Sequence, residues 1–130
     1  VHLIKTQGSE REAEIKIGGQ RLQVVDFASY EDAPISSGML TNIQLRYLTT
    51  RPFTWDEMFN GNPKHEKKLE HQGEFNYLGY GQISKISPTI VDFGACSLEV
   101  SEIKTNDKHC VGEWVLVRLN RLAIWRAEKF

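Results

Sequence analysis

Two consecutive glycines, Gly18 and Gly19, interrupt a run in which every second residue is apolar, and no other feature restricts the folding of this chain so sharply. Ala13, Ile15 and Ile17 alternate with Glu14 and Lys16, the period of a strand with one buried face. The glycine pair supplies positive φ without a Cβ penalty, as a tight hairpin turn requires. Leu22 and Val24 then continue the pattern on a return strand. Between Val24 and Val25 the apolar set changes face, which predicts a bulge or a deeply buried strand end before Phe27.

The same period recurs downstream. Residues 29–38 are turn-rich, punctuated by Pro34 and Gly38. In the stretch 40–49, Ile43, Leu45 and Tyr47 alternate with Gln44 and Arg46. Another strand is predicted over 75–86, where Gly79 and Gly81 share a face. Paired glycines there imply a sharp bend or the close approach of another backbone. Ile90, Val91 and Phe93 precede a run in which Cys96, Leu98 and Val100 alternate with Ser97 and Glu99. A last β unit carries Val115, Val117 and Leu119, then Leu122 and Ile124; residues 102–109 have room for one helical turn. Six or seven short strands without a βαβ rhythm predict an all-β fold with one short helix, a small antiparallel β-barrel.

Residues 50–74 depart from this pattern. Thr54 and Glu57 form a capping box ahead of a short helix that Asn60, Gly61 and Pro63 bring to an end. In 63–74 the only large aliphatic is Leu69, set among Lys64, Glu66, Lys67, Lys68 and Glu70. So little apolar area predicts a mobile surface loop or a solvated helical turn. The expected organisation is therefore one domain over 1–130 with a polar helix-and-loop excursion at about 50–74.

Composition narrows the function classes. A chain of 130 residues with 40% hydrophobic and 25% charged residues can bury its own core. Its net charge of −1 gives no general attraction for nucleic acid or anionic lipid. No apolar run reaches the ~20 residues needed to span a bilayer, and no secretory signal is expected. Cys96 and Cys110 fit no zinc or redox spacing; two reduced thiols in a cytoplasmic protein are favoured over a bridge between adjacent strands. Val25-Asp26-Phe27-Ala28 echoes Val91-Asp92-Phe93-Gly94, for which shared strand chemistry is a better account than duplication.

Catalytic and metal motifs do not emerge. His65, Glu66, Glu70 and His71 miss both helical zinc spacings, because positions 67 and 69 hold Lys67 and Leu69. Phosphate loops and nucleophile elbows are missing, and His109 beside Cys110 projects elsewhere. Asp26 and Asp92 would suit acid–base chemistry if buried together, although an Asp before a turn more commonly accepts backbone hydrogen bonds. Among the aromatics, Phe53, Trp55 and Phe59 are placed on the short helix, and Trp55, Met58 and Phe59 beside the polar loop are expected to be partly exposed.

Four stretches in order, Gly81–Ile86, Ile90–Gly94, Leu98–Ile103 and Val111–Val117, resemble an S1-type OB barrel. The likeness covers about a third of the chain, within residues 79–124. It implies a five-stranded barrel of a kind often used to bind single-stranded RNA. Two stacking positions differ: Ile90 stands where such domains carry an aromatic, and Glu99-Val100 where they carry a histidine.

The leading expectation is a non-catalytic binding module, of adaptor or immunity type, without a cofactor. It would hold a protein partner through Trp55, Met58 and Phe59. The rival is a single-strand nucleic-acid module using Lys85, Arg118, Arg121 and Arg126. A third reading is a small enzyme with a barrel cavity around Asp26 or Asp92.

Overall fold

The computed structural model describes residues 1–8, 10–28 and 38–129, with only the backbone described for 38–42 and 126–129. Most of the turn-rich stretch, residues 29–37, and the side chain of Arg126 lie outside the described residues.

The all-β class holds, and the strands divide into two sheets. The first contains β1 (His2–Thr6), β2 (Arg11–Ile17), β3 (Gln20–Asp26), β4 (Gly38–Arg46) and β10 (Ala123–Lys129). Their order is β1-β2-β3-β10-β4, strongly curled so that β4 returns to β1 through Met39 and Gly38. The second contains β5 (Lys68–His71), β6 (Tyr77–Lys85), β7 (Ile90–Asp92), β8 (Ser97–Glu99) and β9 (Trp114–Leu119). Between the sheets in sequence lies the helix α1 (Trp55–Asn60), and a single 3-10 turn at Lys108–Cys110 precedes β9.

Two sequence expectations change at this level. The ladders are not all antiparallel, since β10 lies parallel to β3 with Ala123 beside Val25. The strands among the described residues number ten rather than six or seven, chiefly because β1 and β5 carry so little apolar pattern. Only Leu3 of β1 and Leu69 of β5 are fully covered.

The hairpin forms as its alternation predicts, with Ile15 opposite Leu22 and Ile17 opposite Gln20. Gly18 has φ +54, and a Cβ on it would lie 2.6 Å from Cα of Ala95. The turn is therefore pressed against the second sheet, where only glycine fits. No bulge separates Val24 from Val25; they pair regularly with Ala13 and Glu12. The strand end is instead enclosed, because β10 covers its second edge and the Val25 N–H donates to the Leu122 carbonyl at 2.9 Å.

The stretch resembling an S1-type barrel folds as a meander, β6-β7-β8, with β9 antiparallel on the other edge of β6. The strand that follows, β10, leaves this sheet for the first one. That stretch therefore lies chiefly in the second sheet, while the sheet that curls closed is made of β1, β2, β3, β10 and β4.

One apolar cluster runs through both sheets and includes Leu3, Ile15, Val24, Ile83, Phe93 and Leu119. Polar clasps join the sheets around it. The Tyr77 hydroxyl accepts from the Gln23 N–H at 2.8 Å and donates to the Gln23 carbonyl at 3.2 Å. The Gln20 side chain donates to the Leu69 carbonyl at 2.8 Å.

The polar excursion is more ordered than its composition predicts. Buried Asn62 accepts from the Glu66 N–H at 2.9 Å, and its amide nitrogen lies 2.9 Å from the Glu66 carbonyl. The same nitrogen lies 3.3 Å from the carbonyls of Gly81 and Val115. One side chain thus ties the start of the loop to β6 and β9. Residues 68–71 then pair with β6 as the edge strand β5, in place of the predicted mobile loop or helical turn. Hydrogen bonds from one buried amide supply the order that the aliphatic content could not.

Candidate interaction surface

Beyond β4 the alternation continues through Tyr47, so that Leu48 falls on the opposite face and stands 59% exposed. Its backbone is fixed there by donation to the Asn120 carbonyl at 2.8 Å. On neighbouring β10 the register with β4 slips between Ile124 and Arg126, leaving Trp125 at the irregularity. Such a slip re-aims a side chain. Trp125 is accordingly 40% exposed and tilted against Phe27 at 5.7 Å between ring centroids. The Arg46 guanidinium lies 4.9 Å from the indole centroid, a cation–π distance.

Leu48, Trp125, Phe27 and Ala123 share one depression of about 300 Å³, with Arg46 and Arg121 also lining it. Sequence reading assigned neither Leu48 nor Phe27 to a surface. The signal was present: Leu48 and Trp125 each sit out of phase with the more covered residues beside them.

The expected helix site is only partly assembled. The capping box forms, with Thr54 N–H donating to Glu57 at 3.0 Å and Glu57 N–H donating to the Thr54 hydroxyl at 3.2 Å. The bond from the Thr54 N–H, and then hydrogen bonding from the Thr54 side chain, hold the Glu57 carboxyl below its ordinary pKa. Trp55 is 45% exposed and stacks on half-buried Phe59 at 4.6 Å. Met58 is not part of that surface. It is 3% exposed and packed into the core, although it lies within one helical turn of exposed Trp55. Phe53 precedes the helix rather than sitting on it, with the Arg118 guanidinium 4.4 Å from its ring centroid.

The cations of the nucleic-acid alternative do not share a site among the described residues. Arg118 covers Phe53, Arg121 lines the Trp125 depression, and Lys85 ends β6. The two aspartates lie on different sheets, Asp26 in β3 and Asp92 in β7. Both accept from the backbone N–H two residues on, Ala28 at 2.9 Å and Gly94 at 2.8 Å. That shared turn chemistry is what the sequence echo records. Asp26 also accepts from the Thr6 hydroxyl, while Asp92 pairs with Lys67 at 3.0 Å. The Gly94 N–H and then Lys67 hold the Asp92 carboxyl below its usual range.

A second depression, of about 500 Å³, separates β4 from β8. There the Tyr47 hydroxyl donates to Glu102 at 2.6 Å. Burial first, and then this bond, raise the Tyr47 pKa well beyond its ordinary value. Cys96 lines the same depression as a free thiol, pushed up to about 11 by burial and by Asp92. Among the described residues no three His, Cys, Asp or Glu side chains gather as a metal site would need, and no helix is long and apolar enough to cross a membrane. The chain matches no protein-family model, no curated protein and no solved structure.

Proposed function

We propose that this chain is a non-catalytic β-barrel module that acts by binding a protein partner, as an adaptor or immunity-type protein does. The observation that carries this reading is the grouping of exposed Leu48 and Trp125 in one depression with Arg46. Tryptophan and arginine are the residues over-represented among interface anchors, and a hollow beside them gives a partner side chain a seat. The seat moves from the α1 surface to the β4–β10 surface, with Trp55 and Phe59 as a second, separate aromatic pair.

A single-strand nucleic-acid module with an OB-like second sheet is the alternative. Its support is the β6-β7-β8 meander with β9, and it is weakened by the separation of Lys85, Arg118 and Arg121. An enzyme built around Asp26 or Asp92 ranks third, because each carboxylate already serves a turn and neither lines the two depressions described.

The test is affinity capture with the immobilised chain, comparing wild type with Leu48→Asp and Trp125→Ala. Leu48 lies outside the core, so Leu48→Asp is expected to keep the circular dichroism and melting of the wild type. A partner held by wild type and lost by both variants supports the reading. A partner held equally by all three removes it.

A further inference from the structure

We infer that the occupant of the Leu48–Trp125 depression is an acidic peptide segment carrying one large apolar side chain; this rests on the protein-binding reading above and names its partner chemistry. The hollow of about 300 Å³ lies at the small end of binding sites, a size for one or two inserted side chains rather than an extended ligand. Its apolar lining comes from Phe27, Leu48, Ala123 and Trp125. Among the described residues its charged lining is of one sign, from Arg46 and Arg121, with no carboxylate. Among the described residues, neither guanidinium takes part in an ion pair. Guanidinium groups beside an apolar hollow suit bidentate recognition of carboxylates flanking an inserted side chain.

The same residues suit a nucleic-acid strand less well. A base stacks on a free aromatic face, but the Trp125 ring already carries Arg46 at 4.9 Å and Phe27 at 5.7 Å. Two arginines in a chain of net charge −1 provide a short electrostatic track for phosphates. They are enough to orient a few carboxylates.

The inference is tested by selecting a random displayed-peptide library on the wild-type chain and on three variants, Leu48→Asp, Trp125→Ala and the double variant Arg46→Glu/Arg121→Glu. Circular dichroism and melting verify each fold. Peptides selected by wild type are expected to be enriched in Asp and Glu around a Trp, Phe or Leu, and to be lost on Leu48→Asp and Trp125→Ala. Synthesised, they should bind the double arginine variant at least about tenfold more weakly, and that variant should select basic peptides instead. Peptides that need Leu48 and Trp125 but show no acidic excess would overturn the partner chemistry and leave the protein-binding site standing. Peptides indifferent to Leu48 and Trp125, or no enrichment at all, would overturn both. Salt-sensitive binding of a labelled single-stranded oligonucleotide that the double arginine variant loses would overturn the peptide in favour of nucleic acid.

Discussion

The ring of Phe93 rests on the bare face of Gly79: a Cβ at that glycine would lie 2.5 Å from Cε1 of the ring. Gly81, two residues along the strand, would bring its own Cβ to 2.9 Å from Cδ1 of the same ring. Phe93 is fully buried, so the ring has nowhere to retreat. Replacing Gly79 by alanine is expected to destabilise the fold by about 1–3 kcal/mol, the usual cost of overpacking. The check is urea denaturation of Gly79→Ala, Phe93→Leu and the double variant. Relief of the clash predicts a double variant less destabilised than the sum of the singles.

Asn62 makes a similar prediction for the polar excursion. Its removal leaves buried carbonyls and the Glu66 N–H without their partner, a penalty of about 1–3 kcal/mol. Hydrogen exchange of Asn62→Ala should show amides of β5 losing protection more than those of the β2–β3 hairpin. Equal loss in both would mean that Asn62 does not specifically hold the excursion.

The hairpin, the capping box and the β6–β9 alternation were legible because each writes its signal locally, in period or in turn chemistry. The parallel β3–β10 ladder was not, since nothing in Val25 or Ala123 reveals which edges meet. The strand β5 was missed because a polar edge strand held by a partner strand and by Asn62 has almost no apolar pattern. The turn role of Asp26 and Asp92 was the favoured sequence reading, and both make the expected bond two residues on. The surface expected on the helix was half legible. Trp55 is exposed as expected, but Met58, three residues on, is buried.

That difference in burial gives opposite outcomes on α1. Met58→Ala empties a buried site and is expected to cost about 2–5 kcal/mol. Trp55→Ala, on the exposed side, is expected to change stability by less than about 1 kcal/mol. Thermal and urea unfolding of the two variants provide the comparison, and a large loss with Trp55→Ala would place that indole in the core.

Cys96 carries the clearest pH prediction. Burial and then Asp92 raise its thiol from an ordinary 9.0 to about 11. The reactive species is the thiolate, and below pH 9 a shift of two units lowers its fraction about a hundredfold. Alkylation by iodoacetamide at pH 8, followed by mass spectrometry, should be slow at Cys96 in the folded chain and fast in urea. Reactivity should climb as pH rises toward 11, provided the fold persists. Equal rates in the folded and urea-unfolded chains at pH 8 would contradict the buried, raised thiol.

The central claim is that this domain works by holding a protein partner at Leu48 and Trp125. Its most direct test is the dissociation constant of the captured partner, measured by calorimetry with purified components. Trp125→Ala and Leu48→Asp are each expected to weaken binding by about 2 kcal/mol or more, roughly thirtyfold, as truncating an interface anchor does. Trp55→Ala should leave the affinity within about twofold, as energetically neutral positions do. A partner whose affinity is unchanged by Trp125→Ala and Leu48→Asp would contradict the account.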